Sequence, residues 1–144
     1  MGFLFTTKII RKPADETVNN SNVLQADDDF KLEVGPNEEW HILIFLKLSS
    51  NTTADFKCGW SYPTDCSIWW GTPSTHFSEG VTQPLWETST LVKETNDYCS
   101  IFLIAIVQAE GTAGTVNLMW AQNVANASDT KVLNKSSFVA FKVV

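Results

Sequence analysis

The sequence predicts an all-β protein: an antiparallel β-sandwich or jelly roll of about eight strands, preceded by an extended N-terminal arm. Three observations predict it. Apolar and polar residues alternate over short segments. Turn-forming residues recur between those segments. No long segment places apolar residues at i, i+3, i+4 and i+7 with helix caps at both ends.

The elements follow in chain order. "FKLEV" alternates, with Phe30, Leu32 and Val34 on one face. "GPNEE" then breaks the strand through Pro36 and Asn37. "WHILIFLKL" puts Trp40, Ile42, Ile44, Leu46 and Leu48 on one face, and His41, Leu43, Phe45 and Lys47 on the other. "SSNTT" is a polar turn, and "ADFKCGW" follows with Phe56, Cys58 and Trp60 on one side. "CSIWWG" is a short strand after the turn "SYPTD", and "TPSTHFSEG" is a loop. Pro84 in "VTQPLWE" suits an edge strand or an irregular segment. "YCSIFLIAIVQ" is the strongest strand, and "AEGTAG" turns it into "TVNLMWAQ". A polar loop, "NVANASDTKVL", leads to the last strand, "SFVAFKVV".

The polar segment "RKPADETVNNSNVLQADDD" has no periodic apolar face. Residues 1–25 therefore read as a docking arm and residues 26–144 as the sandwich.

The strand from Tyr98 to Gln108 is apolar on both faces. A sheet in a small sandwich needs only one dry face. The second face points to burial against another subunit, or beneath a crossing loop or the arm. Phe45, Phe102, Ile104, Ile106, Met119 and Trp120 are the interface candidates. Six Trp and nine Phe supply more apolar surface than one small domain needs.

Several function classes are excluded or disfavoured. A net charge of −6 argues against nonspecific binding to a phosphate backbone, which needs a basic face, so no nucleic-acid partner is expected. No apolar run approaches the ~18 residues of a membrane helix. "MGFLFTTKIIRK" carries its charges after its apolar residues, unlike a secretion signal. Met1-Gly2 with Thr6 fits only the loose myristoylation pattern. The sequons at Asn19, Asn51, Asn126 and Asn134 carry little meaning without a secretion signal. Cys58, Cys66 and Cys99 form no CxxC and are expected to be reduced, although a Cys58–Cys66 bridge is conceivable.

Catalytic patterns are poor, and no cofactor or metal is expected. His41 lies mid-strand as a structural histidine, and His76 beside Ser74 lacks a nucleophile elbow and an orienting acid. Glu38-Glu39 reads as part of a turn rather than a carboxylate pair for glycoside chemistry. Asp27-Asp28-Asp29 could help hold a cation, but consecutive strand residues point alternately and cannot all converge. The run reads as a solvated strand entrance that protects an edge. Trp60, Tyr62, Trp69 and Trp70 could stack on sugar rings. Adjacent Trp69 and Trp70 point to opposite faces of a regular strand, so one of them lies outside the core.

Two stretches carry a family resemblance. "IIRKPADETVNNSNVLQADDDFKLEVGPNEEW" and "TVNLMWAQNVANASDTKVLNKSSFVAFKV" resemble a group of tailed-bacteriophage virion proteins, over roughly two fifths of the chain. The distinctive parts are "RKPADETVNNS", "LQADDDF", "PNEEW" and "LMWAQN" with its "SDTKVL" loop; residues 58–97 match nothing in the group. The resemblance implies a non-enzymatic β-sandwich component of a virion, assembled in the bacterial cytoplasm as a homotrimer. In the reading it favours, a capsid decoration protein of the cement or head-fibre kind docks on the major capsid protein. Phe3, Leu4, Phe5, Ile9 and Ile10 of the arm would make that contact. The alternative is a tail-fibre tip or a carbohydrate-binding module that binds host glycans through the Trp-rich middle. The polar loop after Trp120 is then a structural crossover whose Asn and Asp side chains satisfy its own backbone.

Overall fold

The computed structural model describes residues 6–72, 78–79 and 98–143. Phe3, Leu4, Phe5, His76 and Pro84 lie outside them. Among the described residues there is no helix, and the strands form two antiparallel sheets. The strands are β1 (Thr7–Arg11), β2 (Glu16–Val18), β3 (Gln25–Val34), β4 (Glu39–Ser49), β5 (Lys57–Ser61), β6 (Cys66–Gly71), β7 (Ser78–Glu79), β8 (Tyr98–Ala109), β9 (Gly114–Ala121), β10 (Thr130–Val132) and β11 (Ser137–Lys142). The large sheet runs β1-β11-β4-β8-β6-β7, with β10 pairing both β2 and β4. The small sheet is β3-β9-β5. The all-β sandwich expected from alternation is the observed architecture.

Alternation decides which side of each strand is dry. On β4, Trp40, Ile42, Ile44, Leu46 and Leu48 are buried. On β8, Ile101, Leu103, Ala105 and Val107 face the same core. Phe30, Leu32 and Val34 of β3, Cys58 and Trp60 of β5, and Val116, Leu118 and Trp120 of β9 close it from the small sheet. Rings interlock across the gap: Phe30 stacks on Phe138 at 5.9 Å, and Trp60 meets Trp70 edge-on at 6.2 Å. Cys58, Cys66 and Cys99 are free thiols, and burial raises the pKa of each.

The expected N-terminal arm is corrected. Residues 7–18 belong to the sandwich: β1 pairs with β11 from Thr7↔Phe141 to Arg11↔Ser137, and β2 pairs with β10. Between them, Lys12 donates its N–H to Ser136 O and accepts from Lys135 N. Val18 sits in the core. The segment looked featureless because strands of three to five residues are too short to display a period. Ile10 packs against the core, while Ile9 points outward and is 72% exposed.

The Asp run is also corrected. Ala26 pairs with Met119 and Lys31 with Asn117, so residues 27–30 stand opposite Leu118 alone, in a wide bulge. Asp27 folds inward there and is buried, whereas Asp28 is exposed. Asp27 Oδ1 accepts the N–H groups of Asp29 and Phe30, and Oδ2 accepts Trp120 Nε1–H at 3.1 Å. Lys12 Nζ, itself buried, donates to both Asp27 oxygens at 2.8 and 2.9 Å, to Asp29 at 3.1 Å, and to Glu16. The three carboxylates lie within 4.8 Å of one another, a spacing that would suit a metal ion. Here the lysine ammonium bonds to all three. Burial opposes the Lys12 charge, but its hydrogen bonds to Asp27 and Glu16 prevail, and its pKa is raised. Burial raises the Glu16 pKa, Lys12 opposes that shift, and the Asp27 charge reinforces it.

Two further side chains hold the connections. Gln122 is buried, with Oε1 accepting from Ser21 N and Asn126 N while Nε2 donates to Ser128 O. Asn126 Oδ1 accepts from Ser128 N and from Asn51 Nδ2, and Asn19 Nδ2 donates to Ala127 O. The polar loop after Trp120 is thus stitched to two other corners of the chain by amides that mimic backbone. It also contains β10, which its polarity concealed.

In the β3–β4 turn, Asn37 adopts φ 58°, a left-handed conformation that Asn tolerates. Glu38 accepts from Lys142, Gly35 N and Trp40 Nε1. The Lys142 bond, then those two donors, pull the Glu38 carboxyl down to about 2. Its folded pKa is below the unfolded one. Its contribution is therefore present above the ordinary glutamate value of 4.5 and is lost as pH falls towards about 2. Glu38→Gln is expected to flatten the acid limb of stability across that window, as read by urea denaturation at successive pH values. An unchanged limb would assign acid sensitivity to other carboxylates.

Candidate functional site: the outer face of the large sheet

The core side of the large sheet is covered by the small sheet. Its other side is unusual because apolar residues continue across it. Register builds this face in rows. One row runs Ile9, Val139, Leu43, Ile104 across β1, β11, β4 and β8. Next to it run Phe141, His41, Ile106 and Trp69, the last on β6. On the other flank are Arg11, Ser137, Phe45 and Phe102. Phe45 and Phe102 stack at 4.8 Å. Phe45 is 51% exposed and Trp69 41%, and Leu43, Phe102, Ile104, Ile106 and Val139 are half-buried. Beside the Phe45–Phe102 pair, Lys47, Ser100 and Lys135 line a shallow groove. His41 pairs with Glu39 at 3.1 Å on the solvent side of β4.

The sequence-derived site residues separate into three groups. Phe45, Phe102, Ile104 and Ile106 share this face, joined by Ile9 from the former arm. Met119 is half-buried on the small sheet, away from them. Trp120 is corrected: it is wholly enclosed, stacks on Phe56 at 5.8 Å and donates to Asp27, so it offers no surface to a second subunit. Trp60 and Trp70 are corrected likewise, because both indoles fill the space between the sheets and cannot meet a sugar. Trp69 is the outward member of the adjacent pair, and Tyr62 is half-buried. Leu43, Val139 and Phe141 were missed as face members. Leu43 alternates with the core residues of β4, so its side was legible. Val139 and Phe141 needed the β11–β4 register.

No family model matches the sequence, and no curated protein matches it. Solved structures that match include the Gx strain of infectious bursal disease virus, at 7% identity and TM-score 0.33. The VP2 subviral particle of that virus matches at 5% and 0.32, and the Gt strain at 11% and 0.30. These matches cover 96–97% of this chain, which spans about two fifths of the length of each of those chains. Similarity at this level does not bear on function.

Proposed function

We propose that this chain is a non-enzymatic structural protein of a bacteriophage virion, a homotrimeric capsid decoration protein that contacts the major capsid protein. The continuous apolar outer face of the large sheet carries the reading. A side with Ile9, Leu43, Phe45, Phe102, Ile104, Ile106, Val139 and Phe141 in register is the kind of surface subunits bury in an assembly. The virion assignment and the trimer rest on the sequence resemblance. The docking role falls to Phe3, Leu4 and Phe5, which precede the described residues in sequence; Ile9, on the edge strand, belongs to the apolar face. Ile10 is occupied by the core. Deleting residues 1–25 would remove β1, β2 and Lys12, so docking is tested by truncating residues 1–5 alone. Full particle binding by that truncated chain would exclude the docking role.

The interface is tested by light scattering on the wild type and on Phe45→Asp and Ile104→Asp. The wild type is expected as a trimer. Each variant should dissociate to folded monomers, since a carboxylate in a dry interface has no partner. A monomeric wild type at every concentration, or variants that assemble normally, would overturn the reading. The second reading, a glycan-binding fibre tip or module, retains Trp69 and Tyr62 as contacts. Glycan binding that is lost on Trp69→Ala would favour it.

A further inference from the structure

Charge is segregated along the strands of the outer face. The outward residues of β4 run Glu39, His41, Leu43, Phe45, Lys47, from acid to base. At the Lys47 end, Lys135 lines the same groove, and Arg11 lies in the Phe45 row. At the Glu39 end, the partner position on β8 is Gln108, and the chain continues to exposed Glu110, whose N–H donates to Asp65 O at 3.0 Å. Lys142 at that end is already bound to Glu38. Asp15, the carboxylate near Lys47, accepts Asn134 N–H. A chain of net charge −6 thus gathers Arg11, Lys47 and Lys135 at one end of its apolar face and Glu39, Asp65 and Glu110 at the other.

We infer that the occupant of this face is a second copy of the chain laid head to tail, so that the basic end of one protomer meets the acidic end of its partner. This rests on the face being a subunit interface. Apolar burial supplies attraction without direction. Complementary charge sets orientation, and like charges brought together are penalised. Packing with like ends together would set three cations against three cations; reversing one protomer brings the cationic end against the carboxylate end. Repeated around a ring, the same rule makes the strands run across the symmetry axis rather than along it.

The test uses three full-length variants, with circular dichroism confirming the fold. Lys47→Glu with Lys135→Glu makes both ends acidic. Glu39→Lys with Glu110→Lys makes both basic. The combined four-fold swap restores opposite ends with reversed polarity. Each two-site variant is expected to weaken self-association roughly tenfold or more at low salt, and the four-fold swap to recover it. Wild-type assembly should weaken as salt rises. If all the charge variants assemble equally while Phe45→Asp still dissociates, the head-to-tail orientation fails and the interface stands. If Phe45→Asp assembles like the wild type, or the wild type is a monomer, the interface fails and the orientation with it.

Discussion

Lys12→Ala is expected to cost about 3–5 kcal/mol of folding free energy, because it strands the buried Asp27 carboxylate without its cation. In a chain of this size that lowers the midpoint of thermal unfolding by roughly 10–20 °C. The lysine joins β1–β2 to the β3 bulge, so its loss is felt in both sheets. Lys12→Met combined with Asp27→Asn should cost less than the sum of the two single changes. The double variant removes both charges together, and the side-chain amide introduced in the bulge can still accept one backbone N–H. The Lys12 pKa is raised, so its contribution is complete below the ordinary lysine value of 10.5 and fades only as pH rises beyond it. Urea denaturation of the wild type and these variants reads all of this. A cost below about 1 kcal/mol for Lys12→Ala would mean that the knot is satisfied by other means and does not hold the sheets.

The second large effect is at Trp120. Trp120→Ala should destabilise by about 3–5 kcal/mol through the cavity left beneath Phe56. The Phe substitutions separate volume from hydrogen bonding. Trp120 Nε1 donates to Asp27, whereas Trp70 Nε1 is buried and has no hydrogen-bond partner among the described residues. Trp120→Phe is therefore expected to cost roughly 1.5–3 kcal/mol more than Trp70→Phe, the value of a hydrogen bond to a charged group. Equal costs would show that the Asp27 bond contributes nothing beyond packing.

The candidate face was half legible in sequence. Residues 101–107 are apolar on both sides of a strand, and that alone announces a second apolar face. Phe45 was legible because β4 interrupts its polar side with aromatic and aliphatic residues. Ile9 was expected to meet a partner, but as part of a free arm rather than the edge of this sheet. The Trp-rich middle misled because composition does not distinguish a stacking platform from a core. Trp60 and Trp70 resolve only when β5 and β6 are placed in opposite sheets.

By itself, the sequence determined the fold class, the dry side of β3, β4 and β5, and the fact that β8 is apolar on both sides. These follow from a period of two, which is local and survives whatever the neighbours do. Only the tertiary structure decided that residues 7–18 are strands, that Asp27 is interior, and that Trp120 is core. Each of those depends on a partner distant in sequence or on a bulge: β11 and β10 for the N-terminal strands, Lys12 for Asp27, Asp27 for Trp120. A polar residue read alone is assigned to water, because burying it unpaired is costly. It enters the core only when the fold brings it the opposite charge, and no local pattern records that meeting.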